Sequence, residues 1–406
     1  MINDKNFFSA SEEVTDIDNA KQLIKESLNG FFVMFNNSPA CMSLTNSRRV
    51  YVKVNKKFLE KFGYLETEII GRTSIQLGIL DDKESAKVGT LLKEKGRLQN
   101  DQVTCIAKNQ TQVHTVSSIE AIDLNGEKYF LSSFLDITQI IQQQQLIEKQ
   151  HAEILESINY ARLIQNSIFP TQAHVQQIFP QSFVLAKPKN IVSGDFYWIK
   201  KVGAKVFVAA CDCTGHGVPG ALLSIIGFKL LSKFIGEYHF TNPADVLNQL
   251  NQEFMQNTKQ IIHPGYEMKD GMDIALCTID TETRIMEYAG AYNPIYLIQN
   301  NELTQLGVDK IPINLFSSYN QQKFSNHKVQ LEKDSAIYLF SDGYADQFGG
   351  PNGKKFRYKN FQDLILSIHH LPMAEQGQIF DTTIEEWKKL SNQEQTDDIL
   401  IVGFKL

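Results

Sequence analysis

The chain has 406 residues, more than one core of ordinary size organises, and its composition (42% hydrophobic, 21% charged) is that of globular proteins. The net charge of −6 argues against nucleic-acid binding, which normally requires a basic face. No basic segment followed by an apolar stretch opens the chain, and no apolar run approaches the roughly 18 residues that span a membrane. The five cysteines, odd in number, suit reduced thiols. We therefore expect a cytoplasmic protein, with two domains as the simplest arrangement.

After an N-terminal extension, residues 1–27, a first segment covers residues 28–138. It has strand patterns at both ends and helical patterns between them, which predicts a small α+β domain built on one sheet. The predicted strands are Cys41–Leu44, Arg49–Val54, Gln102–Lys108, Gln112–Asp123 and Lys128–Asp136, and the predicted helices are Asn55–Phe62, Glu66–Ile70 and Asp82–Gly96.

Residues 139–170 form a glutamine-rich linker that contains no glycine and ends at Pro170. Steps of four and three from Ile140 place apolar side chains at six of nine seam positions through Ile168, a period typical of a coiled coil with polar interruptions. A long helix with one apolar stripe requires a partner. We favour a second copy in a homodimer, and packing on the same chain's third segment is the alternative.

The third segment, residues 171–406, is rich in strand patterns and contains two pairs of helical patterns. Two strand blocks separated by helix pairs predict two packed sheets with helices outside. The first predicted strands are Ile191–Lys200 and Lys205–Cys213, and the last is Ile399–Phe404. The predicted helices are Gly220–Tyr238, Pro243–Ile262, Asn360–His370 and Met373–Leu390.

Four aspartates of this segment share one setting, the end of a β-rich run beside glycine or another turn-forming residue: Asp195, Asp212, Asp342 and Asp397. A single Asp-Gly is usually a turn, but carboxylates at buried strand ends are costly unless paired, hydrogen-bonded or bound to a cation. Their motifs contain no Lys or Arg. Oxygen ligation selects Mg²⁺ or Mn²⁺, and two such ions ~3.5–4 Å apart can hold a hydroxide in line with phosphorus.

Three neighbouring features have simpler interpretations. Cys211 and Cys213 point away from the Asp212 carboxylate on a strand, so we expect core cysteines. His216, between two glycines, is expected to be structural. The loop containing Asp270 and Asp273 could bind a further ion or be a solvated turn.

These residues lie in motifs that resemble, in the same order, those of bacterial PPM-type phosphatases of the sporulation and sigma-factor-regulator group. The motifs are Ser193–Tyr197, Asp212–Ala221, Ser341–Gly343 and Thr396–Ile399. The resemblance implies an α-β-β-α sandwich that hydrolyses phosphoserine or phosphothreonine without a phosphoenzyme. A metal-activated water would be the nucleophile, so no catalytic side chain is assigned.

The resemblance also implies ligands for two Mn²⁺ or Mg²⁺ ions. Asp212 would bridge both ions, and the backbone carbonyl of Cys213 would contact one of them. Asp342 and Asp397 would hold the first ion, and Asp195 the second, directly or through water. The family's Ala-Gly-His-Asn-Pro element reads Ala289–Pro294 here and lacks its histidine, and its usual glutamate is Asp346.

The first segment resembles a PAS domain, in the stretches Asn36–Ala40, Val54–Phe58, Glu68–Arg72 and Asp136–Thr138. The flavin-attachment motif of blue-light sensors is absent, and His114 is a lone candidate for haem, so we expect no resolved cofactor and leave the PAS ligand open. The linker is similar to helices that dimerise and switch activity in relatives with sensors.

These observations predict a PAS-regulated, metal-dependent protein serine/threonine phosphatase. Its expected substrate is a phosphoprotein, with a regulator of the anti-sigma-antagonist type as the family-based candidate. Two alternatives are a sensor-scaffold with a degenerate phosphatase domain and a two-metal phosphohydrolase of nucleotides or small messengers.

Overall fold

The computed structural model describes residues 29–30, 32–124, 126–259, 271–314 and 323–406. The predicted extension, residues 1–27, lies outside them. The chain divides into two compact units, Met1–Ala152 and Glu153–Leu406, with the boundary inside the predicted linker.

The first unit contains one antiparallel sheet of five strands in the order β2-β1-β5-β4-β3. Its helices pack on one face of this sheet, where Phe58, Phe62, Ile69 and Val88 are buried with strand residues. This is the α+β domain that the sequence predicts. Its elements are β1 (Cys41–Asn46), β2 (Tyr51–Val54), α1 (Lys56–Phe62), α2 (Glu66–Ile69), α3 (Asp82–Lys95), β3 (Leu98–Ile106), β4 (Gln112–Leu124) and β5 (Glu127–Asp136).

Asn55 fixes the passage from β2 into α1. Its side-chain oxygen accepts from the Phe58 backbone N–H at 2.9 Å, and its amide donates to the carbonyls of Phe35 and Ala40. Gly63, in the left-handed conformation at φ 74°, ends the helix. A fully buried asparagine thus satisfies all of its hydrogen-bonding groups while starting the helix.

Helix α4 (Thr138–Ile168) runs without interruption through the predicted linker. Ile140, Ile147 and Ile154, three seam positions of the predicted coiled coil, are exposed, at 61%, 64% and 57%. Only Gln165 of this helix is fully buried.

The second unit contains two large antiparallel sheets and the two-stranded sheet β16-β17. The large sheets have the strand orders β14-β10-β9-β8-β7, with β13 also paired to β9, and β12-β11-β15-β18-β6. The strands are β6 (Ser182–Lys187), β7 (Phe196–Val202), β8 (Lys205–Cys213), β9 (Gly271–Asp280), β10 (Ile285–Ala291), β11 (Ile295–Gln299), β12 (Glu302–Leu306), β13 (Ile313–Asn314), β14 (His327–Gln330), β15 (Ala336–Phe340), β16 (Phe348–Gly349), β17 (Lys354–Lys355) and β18 (Ile399–Lys405). The helices are α5 (Gln172–Ile178), α6 (Val218–Leu231), a π-helix (Ser232–Glu237), α7 (Pro243–Lys259), α8 (Gly343–Asp346), α9 (Tyr358–Ile368) and α10 (Met373–Lys389).

Three apolar clusters show that these elements form four layers. The middle cluster joins the two sheets, with Val208 of β8 and Leu339 of β15 among its members. The second covers the outer face of the first sheet with α6 and α7, and the third covers the outer face of the other sheet with α9 and α10. The predicted α-β-β-α sandwich is confirmed.

The predicted strand Ile191–Lys200 is wrong in its first half, because β7 begins only at Phe196. The preceding residues form a loop whose backbone N–H groups at Lys189 and Gly194 bond to the Asp398 carboxylate, both at 2.7 Å. A tertiary contact thus replaces the ladder that the β-branched residues Ile191 and Val192 suggest. Six further strands were not predicted: β6, β12, β13, β14, β16 and β17.

Among the described residues, one helical stretch, Val218–Glu237, is long and apolar enough to cross a membrane, with a mean hydropathy of 1.6. It contributes Leu230, Leu231, Phe234 and Ile235 to the apolar core of the second unit. This makes it weak evidence for a membrane span, since core helices pass the same test.

Candidate metal centre

The first sheet brings two of the predicted carboxylates side by side. Asp212, near the end of β8, lies directly opposite Asp273 of β9 in the antiparallel register. Directly opposed like charges destabilise a sheet unless something compensates them. The side chains of Cys211 and Cys213 point to the other face and are buried in the apolar cluster under α6 and α7, as reduced cysteines.

Asp195 approaches Asp212 from the loop before β7. Its backbone N–H bonds to Ser193 Oγ at 3.1 Å, and the residue is 9% exposed. Its carboxylate is within hydrogen-bonding reach of Ser341 and Asp212. Among the described residues, Asp195 Oδ2 is one of six buried side-chain polar atoms without a hydrogen-bond partner. An orphaned carboxylate oxygen is costly and therefore points to an additional ligand.

The second sheet contributes Asp342, which follows β15, and Asp397, which precedes β18. Asp342 also lies within hydrogen-bonding reach of Asp212. These segments approach each other closely, because a Cβ at Gly343 would lie only 1.9 Å from the Asp398 carbonyl oxygen and 3.5 Å from Asp397 Cβ. Glycine at position 343 is what permits this approach.

Burial and mutual repulsion raise the pKa of these carboxyls. Burial raises the pKa of Asp195 well above its usual range, and the charges of Asp398 and Asp397 add to it. The pKa of Asp212 rises for the same reason, first through burial and then through Asp195 and Asp342. Such a group of carboxylates binds protons or cations in preference to remaining bare.

For Asp273, burial and then Asp342 raise the pKa to about 6. Burial also raises the pKa of Asp342, followed by the charges of Asp346 and Asp397, while Lys355 opposes the rise. Lys355 bonds to Asp346 at 2.6 Å, so this cation is already paired. Lys355 is thus shared with Asp346 and does not neutralise the cluster as a whole.

The backbone at Gly194 also lies close to another part of the chain, the segment after β8. A Cβ there would lie 2.8 Å from the Gly215 carbonyl oxygen and 3.1 Å from that of Cys213. A Cβ at Gly220, in α6, would lie 2.1 Å from the Gly215 oxygen. The Cys213 carbonyl, a predicted ligand, therefore borders the loop that carries Asp195.

Two residues that sequence reasoning did not select position this loop. The buried Asp398 accepts from the Lys189 and Gly194 backbone N–H groups. Gln165, near the end of α4, donates to the Ser193 carbonyl at 2.7 Å and to Ser224 Oγ at 3.0 Å, and accepts from the Ser193 N–H at 3.1 Å. The Asp397-Asp398 pair could have drawn attention to Asp398 in the sequence. Gln165, in contrast, looks like any other polar residue of the predicted coiled-coil seam.

The other residues singled out in the sequence are placed as follows. His216 Nδ1 bonds to Asn190 Oδ1 at 2.8 Å, consistent with the structural role expected. Tyr292, in the element that lacks the family histidine, is 47% exposed with a positive φ of 59°. Asn293 beside it is buried with an unpartnered Nδ2. Asp270 lies outside the described residues.

The arrangement fits divalent cations in donor chemistry and charge. Oxygen donors from two sheets converge, one of them is orphaned, and repulsion among them favours a positive counter-charge. Within the described ranges, no group of three or more His, Cys, Asp and Glu side chains already has the geometry to hold a metal ion.

Comparison with known proteins agrees with both units. The family described as Stage II sporulation protein E (SpoIIE) matches residues 203–406, half of the chain. A PAS domain family matches residues 39–139. A search of the curated proteins found no match.

Three solved structures are similar to this chain. The SiaA-PP2C domain of Pseudomonas aeruginosa is 28% identical, with 63% of this chain and 98% of that chain covered and a TM-score of 0.57. The SpoIIE phosphatase domain with a regulatory fragment, from Bacillus subtilis, is 14% identical over 72% of this chain and 70% of that chain, with a TM-score of 0.43. The RsbU and RsbW domains of Rv1364c from Mycobacterium tuberculosis are 18% identical over 56% and 60%, with a TM-score of 0.42.

The motifs at the convergent strand ends, the four-layer sandwich and the family match agree. The chain belongs to the SpoIIE family of PPM-type phosphatases, with a PAS domain in its N-terminal half.

Proposed function

We propose that this chain is a metal-dependent protein serine/threonine phosphatase that uses two Mn²⁺ or Mg²⁺ ions. The observation that carries the proposal is the convergence of Asp195, Asp212 and Asp342 from different strand ends, with Asp195 Oδ2 orphaned. Membership of the SpoIIE family and the likeness to a PP2C domain support the reaction class.

In this proposal Asp212 would be a ligand of both ions, because it is the carboxylate that both Asp195 and Asp342 approach. Asp342 and Asp397 would hold the first ion and Asp195 the second, and the Cys213 carbonyl would complete the donor set. Asp273, opposite Asp212, is an accessory donor. When bound, such ions lower the pKa of water and neutralise phosphoryl oxygens.

The chain's own residues serve to hold these donors in place. Asp398 and Gln165 orient the loop that carries Asp195 through its backbone. Gly343 allows the backbone before β18 to reach the end of β15. No side chain is proposed as nucleophile.

The proposed substrate is a phosphoserine- or phosphothreonine-bearing regulatory protein, in the manner of an anti-sigma antagonist. A cytoplasmic location is part of the same proposal. The negative formal charge of the chain is no obstacle, since bound cations would make the site attractive to phosphate.

We also propose that the PAS domain regulates the phosphatase through α4 and that the chain is a homodimer. The exposed isoleucines at positions 140, 147 and 154 support a helix-to-helix contact, because a stripe of this kind is normally covered. A signal at the PAS domain would shift α4 between two arrangements and so alter the order of the loop tied to Gln165.

The decisive experiment replaces Asp212 by asparagine in the full-length chain. We expect Mn²⁺-dependent hydrolysis of a phosphopeptide to fall by at least ~100-fold, since the shared donor loses its charge, and chelation to abolish wild-type activity. Asp280→Asn is the matched control, because Asp280 lies at the opposite end of β9 and accepts from the nearby Glu282 and Thr283 backbone N–H groups.

Activity retained by a folded Asp212→Asn protein would contradict the assignment of that donor. Wild-type protein that hydrolyses nucleotides faster than phosphopeptides would contradict the protein substrate. Wild-type protein that hydrolyses neither would be a scaffold.

A further inference from the structure

The first unit contains a cavity of about 180 Å³ between its sheet and its helices. Phe58 and Phe62 of α1, Val88 of α3, and Val103 and Phe134 of the sheet line its apolar walls. A dry apolar cavity of ~150 Å³ is large enough to bind benzene. The space therefore suits the body of a ligand with about one aromatic ring.

The inner face of the sheet also presents hydroxyls to this cavity. Ser43 of β1 lines it, is 1% exposed, and its Oγ has no hydrogen-bond partner within the described part of the chain. Ser132 of β5, also lining the cavity, lies directly opposite Ser43 in the register. A buried hydroxyl without a partner costs ~1–3 kcal/mol, so a polar group of a ligand is the simplest way to satisfy Ser43.

The charged lining of the cavity has one sign. Arg48 and Arg49 are its only charged residues in the described ranges, and no carboxylate lines it there. Both are exposed, so the cavity opens toward them. A guanidinium at the mouth of an apolar cavity favours a ligand that carries an anionic group.

The turn that carries these arginines is well defined. The Asn46 side-chain oxygen accepts from the Arg48 and Val50 backbone N–H groups at 3.0 and 3.1 Å. Arg49 adopts a left-handed conformation at φ 61°, and its guanidinium reaches α3, where it lies 3.6 Å from the Cβ position at Gly89. Ser43 is 1% exposed whereas both arginines are exposed, so the hydroxyl lies deeper than the charge.

We infer that this cavity binds a small organic anion: an aromatic-ring-sized acid with its carboxylate at Arg48 and Arg49 and a hydrogen-bonding group at Ser43. His114, the lone histidine considered for haem, does not line this cavity and bonds instead to Thr104 of β3. The inference concerns binding alone and does not depend on the proposed phosphatase activity.

Calorimetry on the full-length protein tests this with three probes: 4-hydroxybenzoate, benzoate and the neutral p-cresol. We expect both acids to bind at least about tenfold more tightly than p-cresol, because each makes a charge-assisted contact. We expect 4-hydroxybenzoate to exceed benzoate, because its hydroxyl can pair with Ser43. The inference is overturned if neither acid binds or if p-cresol binds equally well.

Variants locate the contacts. The double change Arg48→Gln and Arg49→Gln should weaken both acids to the level of p-cresol and leave p-cresol unchanged. Ser43→Ala should remove the advantage of 4-hydroxybenzoate over benzoate and leave benzoate unchanged. Lys95→Gln, an exposed cation at the end of α3 outside the cavity lining, is the matched control. If the arginine double variant keeps its circular dichroism spectrum but loses the same factor of affinity for the acids and for p-cresol, the carboxylate does not contact these arginines and the inference is overturned.

Discussion

Gly343 and Gly194 are the residues on which the carboxylate cluster depends, although neither carries a functional group. Each lies where a Cβ would enter the space of a neighbouring backbone carbonyl oxygen, of Asp398 and of Gly215 respectively. These approaches lie beside Asp342 and Asp195, the two carboxylates that interact with Asp212. The charge of the site and the close packing of its backbone are therefore linked.

Gly343→Ala should damage the site and the fold together. A Cβ 1.9 Å from the Asp398 carbonyl oxygen forces the segment before β18 to move, and such overpacking costs ~1–3 kcal/mol or more. We expect a lower free energy of unfolding in urea and a loss of Mn²⁺-dependent phosphatase activity. Gly307→Ala is the control, since no atom lies within 4 Å of its Cβ position. Equal behaviour of the two variants would refute the steric argument.

At the scale of single residues, the sequence identified the candidate carboxylates but not the residues that hold them in place. Asp195, Asp212, Asp342 and Asp397 could be selected because buried strand ends rarely carry unpaired carboxylates. Asp398 could not be separated from Asp397, since only the fold shows that its carboxylate faces the Lys189 and Gly194 N–H groups. Whether these donors bind metal remains a prediction.

Helix α4 is the element whose two ends have different environments. Ile140, Ile147 and Ile154 are exposed, whereas Gln165 near its end is 3% exposed and bonds to Ser193 and Ser224. Phe169, just beyond the helix, stacks on Phe196 at 5.5 Å. The end of α4 is thus attached to the loop that carries Asp195.

Gln165→Ala should loosen that loop. It leaves the Ser193 N–H without its partner and the Ser193 carbonyl with the longer bond from Ser224 Oγ, at 3.4 Å. An unsatisfied buried group of this kind costs ~1–3 kcal/mol. We expect a lower free energy of unfolding and a several-fold higher Mn²⁺ concentration for half-maximal activity. Asn159→Ala is the control, because Asn159 is half-buried on the same helix and its amide donates to the Leu155 carbonyl of that helix. An unchanged Mn²⁺ dependence would argue against this attachment as a control point.

Sequence periodicity located most elements but could not place the loop before β7. Residues such as Ile191 and Val192 have high strand propensity, so the predicted strand began too early. What decides their conformation is a carboxylate about 200 residues later, at Asp398, which captures the backbone donors. A window of neighbouring residues contains no information about that partner.

At the scale of the whole molecule, the architecture followed from the order of elements. Two strand blocks with a helix pair after each predicted packed sheets with outer helices, and the three apolar clusters confirm this. The pairing of strands within each sheet was harder to predict. The neighbours β8 and β9, for example, are separated along the chain by α6 and α7. The opposition of Asp212 and Asp273 depends on that register and was not predicted from the sequence.

The oligomeric state is the remaining prediction at this scale. If two copies of α4 pack along their exposed isoleucines, sedimentation equilibrium should give a mass about twice the 46.1 kDa of one chain. Ile147→Lys together with Ile154→Lys places charges in the seam and should yield the monomer mass.

Gln143→Lys together with Gln150→Lys is the matched control, because it adds the same charge to the same helix at exposed positions outside the seam. These lysines should leave the dimer intact, since they would remain in water. Dissociation by both pairs of changes would indicate a charge effect unrelated to the seam. A wild-type monomer would instead favour the alternative, in which the stripe is covered within one chain.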